Sequence, residues 1–154
     1  MNRTGLALLL LLVILTRIPF ITAGYGTDPD AWRVAETALR VWHTGIYEPS
    51  RLPGYPLHEI VNAPLTGMGG SLLSNSATLL VALLVLILWN HIALREARHP
   101  ALLVAILAFT PLFWKNSAVT MDYVWSLLFI LLAFRASTER RALMAGVFIG
   151  VAAG

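Results

Sequence analysis

Apolar runs occupy residues at about 5–23, 72–89, 101–113, 117–134 and 142–154, separated by short polar connections and one long one. A helix that crosses a bilayer needs roughly 20 apolar residues with few charges. Length and charge exclusion, rather than periodicity, mark such a segment. Each run is therefore predicted to be a membrane helix, and the fold class is predicted to be all-α, a polytopic transmembrane helix bundle. The third run reaches the required length only if Pro100 and Trp114 lie in the interfaces. The fifth stops short of it with no cap and no flanking charge. The expectation is thus the amino-terminal part of a single larger transmembrane domain, cut within its fifth span.

The long polar connection, residues 24–70, has a pattern of its own. Trp32, Ala35, Leu39 and Trp42 recur at spacings of three, four and three, while Arg33, Glu36, Arg40 and His43 lie off that stripe. This predicts an amphipathic helix over residues 29–44. Asp28 suits its N-cap, Pro29 its first turn and Gly45 its stop. Two tryptophans on one face, next to a span, predict a juxtamembrane helix lying flat in the interface. Beyond it, Pro49, Pro53, Gly54 and Pro56 predict a stiff, irregular segment through Glu59. That segment would hold Tyr47, Arg51, Tyr55, His58 and Glu59 as the wall of a pocket, and residues 60–70 would return to the membrane.

Composition agrees with a membrane protein. Hydrophobic residues make up 58% of the chain and charged ones 12%, with a mean hydropathy of +0.74, where a soluble domain is about a quarter charged. The absence of cysteine excludes disulfides and thiolate metal sites. No run of like charge points to nucleic acid.

The net charge of +3 is more informative by position. Arg3, Arg95, Arg98, Arg135, Arg140 and Arg141 fall on one side if the spans alternate, and Lys115 alone occupies the short opposite connection. The positive-inside rule then predicts a multi-pass protein with a cytoplasmic amino terminus and the 24–70 connection outside. A second reading of residues 1–23 is a cleaved signal peptide, which Arg17-Ile-Pro19 interrupts; cleavage would leave the first loop on the same side.

The outer connection holds Asp28, Asp30, Glu36, Glu48 and Glu59, most of the chain's eight acids. A connector needs only a few residues, so a long one rich in carboxylates is a candidate site. Asp28 and Asp30 fit helix capping and the helix dipole, and a capping carboxylate is also held rigidly at the membrane surface. Asp122, after Trp114-Lys-Asn-Ser117, either caps the fourth span or joins Asp28 as a second outer acid. Arg51 suits forked phosphate binding. Arg17, near the outer end of the first span, either snorkels or binds an anionic lipid head. The histidines at 43, 58, 91 and 99 lack metal-ligand spacing, and His91 and His99 are expected in the cytoplasmic interface.

Together, the span ending near Arg17, the motif Asp28-Pro-Asp-Ala-Trp-Arg33, Tyr47-Glu-Pro-Ser-Arg-Leu-Pro-Gly-Tyr-Pro-Leu57 and the acid after Pro111-Leu-Phe-Trp-Lys-Asn-Ser117 form a pattern. It resembles the amino-terminal half of the GT-C superfamily, polytopic glycosyltransferases that use lipid-linked sugars, such as protein O-mannosyltransferases and aminoarabinose transferases. The resemblance implies a catalytic aspartate in the first outer loop, at Asp28 or its neighbour Asp30, with Asp122 supporting it.

It also implies a polyprenyl-phosphate sugar donor and a glycan, lipid or protein acceptor. A carboxylate takes the acceptor's proton, and cationic or donor groups stabilise the departing phosphate. Arg17, Arg51 and Lys115 are the candidate phosphate partners, with Tyr55 and His58 as further substrate contacts. No cofactor is expected, because the leaving group is a lipid monophosphate. A divalent metal on Asp28, Asp30 and Asp122 is the alternative, since hard oxygen ligands suit magnesium or manganese. A transporter or lipid flippase, or a non-catalytic membrane subunit, would use the same residues differently.

Overall fold

The computed structural model describes residues 1–52 and 54–154. Seven helices follow one another: α1 Arg3–Ile21, α2 Pro29–Thr44, α3 Pro56–Glu96, α4 Pro100–Phe109, α5 Pro111–Asn116, α6 Tyr123–Thr138 and α7 Ala142–Ala153, with no strand among the described residues. The protein is all-helical, as expected. Two helices, α1 and α3, are long and apolar enough to cross a membrane, each with a mean hydropathy of 2.3. Three further apolar helices, α4, α6 and α7, are shorter.

Helix α3 is the hub, packing against α1, α2, α4 and α6, while α7 packs on α6. Leu79, Ala82, Val85 and Leu86 of α3 meet Val13 of α1, Val104 and Ala108 of α4, and Val124 and Leu131 of α6 in one core. Much of the remaining apolar surface faces outward, including Leu8, Leu11, Leu15, Leu80, Leu84, Leu102 and Ile106.

Several boundaries differ from the pattern-based ones. The expected third span is broken after Phe109, because Pro111 opens a separate short helix and the residue before a proline is driven out of the helical region; Thr110 adopts φ −58°, ψ 130°. The expected fourth span starts at Tyr123 rather than Ser117, residues 117–122 forming turns. The stiff irregular segment ends earlier than expected. Pro56 sits in the first turn of α3, where its missing N–H costs nothing, so His58 and Glu59 are helical and the polar connection is shorter. Pro53 lies outside the described residues. Inside α3, Gly70 at φ 56°, ψ −144° breaks the helical path without ending it, a conformation open to glycine and costly for other residues.

Helix α2 forms as predicted, over Pro29–Thr44, with the Asp28 carboxylate accepting from the Asp30 N–H and Gly45 in the left-handed region at φ 70°. Its buried face overlaps the tryptophan stripe only in part. Ala31, Val34, Ala35 and Ala38 are buried, whereas Trp32, Leu39 and Trp42 remain 55%, 37% and 46% exposed. Small residues let α2 lie close on α3.

At the far end of that contact, the Trp42 indole rests directly on the Gly67 backbone, leaving no room for a Cβ. Gly67→Ala is expected to cost about 1–3 kcal/mol through overpacking. Thermal melting should show it, and Trp42→Ala in the same chain should relieve most of the loss.

Candidate functional site

The start of α2, the 45–55 segment, and the α5–α6 connection converge at the amino-terminal end of α6. Residues far apart in sequence pair there. Lys115 Nζ donates to Asp28 Oδ2 at 3.2 Å. Arg51 donates through Nη2 to Asp122 Oδ1, while its Nη1 stands 3.7 Å from Asp30 Oδ2. Asp30 also accepts from Arg33 at 3.1 Å. Three carboxylates and three cations thus form one cluster. Asp122 is nearly sealed, its side chain 3% exposed, whereas Asp28 and Asp30 keep 24% and 29%.

Asp122 does not cap α6: no side-chain capping bond forms there, and the carboxylate turns to Arg51 instead. The two roles weighed for Asp28 are both present geometrically, since Oδ1 accepts the capping N–H at 3.2 Å and Oδ2 meets Lys115.

Arg51 is held on several sides. Its guanidinium lies 4.9 Å from the Tyr55 ring and 5.7 Å from the Tyr123 ring. Burial works against its charge, but Asp122, Tyr123 and Asp30 outweigh that and keep it cationic. Nη1 is buried with no hydrogen-bond partner, an unmet donor that an anionic oxygen can satisfy.

The segment carrying Arg51 is clamped from below by Glu59. This fully buried carboxylate accepts from Tyr47 Oη at 2.7 Å, from the Ser50 N–H at 3.3 Å and from the Ser50 hydroxyl. Burial and the adjacent Glu59 push the Tyr47 phenol up to about 12, so it stays a donor.

The remaining predicted residues fall into two groups. His58 is buried, packs edge-on to Trp125 with ring centroids 5.3 Å apart, and has no hydrogen bond on either nitrogen. It lines a cavity of about 20 Å³ with Tyr55, Asp122, Trp125 and Ser126, room for roughly one water. Arg17 neither snorkels nor joins the acids. Fully buried, it donates to Ser117 Oγ at 3.3 Å, Thr16 Oγ1 at 2.7 Å and the Ala108 carbonyl, between the Phe109 and Trp114 rings. It is a strut tying α1 to the end of α4 and to the α5–α6 connection. Among the described residues no three acids or histidines gather at metal-ligand spacing.

Two features escaped the sequence pattern. One is Tyr123 beneath Arg51. The other is a buried polar network in which Thr120 donates to Asn75 Oδ1 at 2.8 Å and meets Ser74 Oγ at 2.6 Å, while Asn75 Nδ2 donates to the Ile21 and Gly24 carbonyls. It fastens the end of α1 and the α5–α6 connection to α3. Serines, threonines and asparagines inside an apolar run were the available signal, since such residues bond across helices in apolar surroundings.

An apolar groove adjoins the cluster. Leu107, Leu112, Phe113, Asn116, Tyr123 and Leu127 line a volume of about 300 Å³ between α4–α5 and α6. Tyr123 belongs to both, one residue from Asp122 and under the Arg51 guanidinium.

Burial raises the Asp28 carboxyl, but the Asp30 N–H, Lys115 and Arg51 outweigh it and hold it below the ordinary carboxylate range. A depressed folded-state value gives stability that is present above the unfolded value and is lost as pH falls through the folded one. Melting temperature is therefore expected to decline below about pH 4, with a shallower decline in Lys115→Gln. Lys115 is 53% exposed, so added salt should shrink that difference.

The fold and the cluster define an all-helical protein with two membrane-length apolar helices and a cluster of cations and carboxylates that shares Tyr123 with an apolar groove. No protein-family model, curated protein or solved structure matches the chain.

Proposed function

We propose that this chain forms the outer-face site of a multi-pass membrane glycosyltransferase. It would move a sugar from a polyprenyl-phosphate donor to a glycan, lipid or protein acceptor, as the resemblance to the GT-C superfamily implies. The observation that carries the reading is the junction of the groove with the cluster. A long apolar chain lies in the groove, and its phosphate reaches the unmet Nη1 donor of Arg51, with Lys115 as a second cation. Tyr55 lies against the Arg51 guanidinium, and with His58 it lines the small cavity beside Asp122.

Asp28 is the partly exposed carboxylate nearest to Lys115, and it acts as the base. The acceptor hydroxyl oxygen bonds to the anomeric carbon as the carbon–phosphate oxygen bond breaks. The bonding pair leaves with the phosphate, and the hydroxyl proton passes to Asp28. Direct displacement inverts the anomeric centre. A carboxylate held below its usual range is a weak acceptor, so the proton moves late, as the new bond forms. Asp30 is the near alternative, and Asp122 supports the site by fixing Arg51. The basic ends of the helices face the cytoplasm in this arrangement, and the 24–55 region lies outside.

A transporter or flippase places its binding groups near the midplane, whereas here they gather at one end of α6. Membranes from cells producing the protein, supplied with radiolabelled polyprenyl-phosphate sugar, separate the two. Label passing from lipid to acceptor supports transfer. Label crossing between leaflets while still lipid-bound assigns a flippase, and neither outcome assigns a non-catalytic subunit.

A further inference from the structure

At the opposite end of α6 lies a second charged zone that the sugar-transfer reading does not use. The sixteen residues of α6 put about 24 Å between the two zones. The carboxyl-terminal ends of α3 and α6 meet there in a cleft of about 100 Å³, whose lining includes His91, Arg95, Glu96, Phe134, Arg135 and Glu139.

The charges around the cleft are unevenly matched. Glu139 accepts from Arg135 Nε at 2.9 Å and lies 3.4 Å from Arg141 Nε. These arginines, the first through its hydrogen bond, hold its carboxyl below the usual range. One carboxylate is thus already shared by two guanidinium groups. Arg95 forms no salt bridge among the described residues, and His91 Nε2 is buried with no hydrogen-bond partner. Two helix carboxyl termini bring partial negative charge to the cleft, which offsets part of the arginine charge. A surplus of one remains: Arg95 and Arg135 in the lining, with Arg141 on Glu139, stand against Glu96 and Glu139.

We infer that this cleft binds the phosphate of an anionic membrane lipid headgroup. Basic clefts between helices at the cytoplasmic face select such headgroups. The walls favour a lipid over a free anion, because Ile92 and Phe134 border the cleft and the Phe134 ring is 46% exposed, offering an apolar path for acyl chains. Arg95 and the His91 Nε2 edge would hold the phosphate, with Arg135 sharing its remaining N–H groups. The inference shares with the proposed function only its membrane-spanning arrangement, and holds whether or not sugar is transferred.

The test is native mass spectrometry of the purified protein with phosphatidylglycerol or phosphatidylcholine. One phosphatidylglycerol is expected to be retained in preference to phosphatidylcholine. Arg95→Gln should lower that preference about fivefold, the effect of one basic residue near an anionic surface. Arg40→Gln, at the other end of the molecule, should leave it unchanged. His91→Leu should lower it as well, a check that avoids disturbing the Arg135–Glu139 pair. Equal retention of the two lipids, or a preference that survives both variants, overturns the site. Displacement of phosphatidylglycerol by inorganic phosphate reassigns the cleft to a soluble anion and overturns the lipid reading.

Discussion

Asp28→Asn is expected to lower sugar transfer by about 10²–10⁴-fold, the usual contribution of a positioned base, with little loss of stability. Asparagine caps helices about as well as aspartate, so α2 should still begin at Pro29. What disappears is the charge that faces Lys115 and the capacity to take a proton. The measurement pairs label transfer from lipid-linked sugar with thermal melting of the same preparation. A large loss of transfer in a protein that melts within a few degrees of wild type supports the base assignment. Unchanged transfer removes it from Asp28, and a comparable loss confined to Asp30→Asn moves it there. Asp28→Ala should lose transfer to the same degree, with a further cap penalty of about 1 kcal/mol in stability.

Arg51→Ala is expected to damage both stability and transfer. Asp122, with a side chain 3% exposed, loses its partner. Removing one member of a buried pair costs about 3–5 kcal/mol. Arg51 itself is 18% exposed, so water can reach the vacated position, and the lower end of that range is expected. Asp122→Asn added to Arg51→Ala should recover much of the stability, because the stranded charge is then gone; failure to recover it would mean that the pair is not what anchors this corner. Transfer should stay low in the double variant. Arg51→Lys separates the two roles, since it keeps a cation beside Asp122 but loses the planar fork and its stacking on Tyr55 and Tyr123. It should melt close to wild type and still transfer poorly.

Several features of α2 were legible residue by residue. Asp28, Pro29 and Gly45 act on the backbone within a few positions, and the structure has the helix start and stop where they direct. The packing face was legible only in part. Of the apolar stripe Ala35 is buried and Trp42 touches Gly67, but Trp32 and Leu39 stay exposed while Ala31, Val34 and Ala38, off the stripe, are buried. Close helix contact favours small side chains, and where the partner helix lies is not written in the α2 segment. The break at Thr110 was missed for a related reason, since it sits inside a continuous apolar run where hydropathy stays high although the backbone departs from a straight helix. Gly70 falls instead at the expected boundary between connection and second span, and what was missed there is that α3 continues through it.

The local chemistry of the chain, namely which stretches are apolar, where helices are capped and which acids are scarce enough to notice, follows from neighbouring residues and is readable without a fold. The partners of those acids are not. Lys115 reaches Asp28 across 87 positions and Arg51 reaches Asp122 across 71, and Arg17 turned inward to Ala108 and Ser117 rather than to a headgroup. Capping and periodicity are interactions over one or two helical turns, whereas these pairings depend on how α3 and α6 pack. Only that packing brings two loops to one corner and leaves a guanidinium N–H unmet beside an apolar groove.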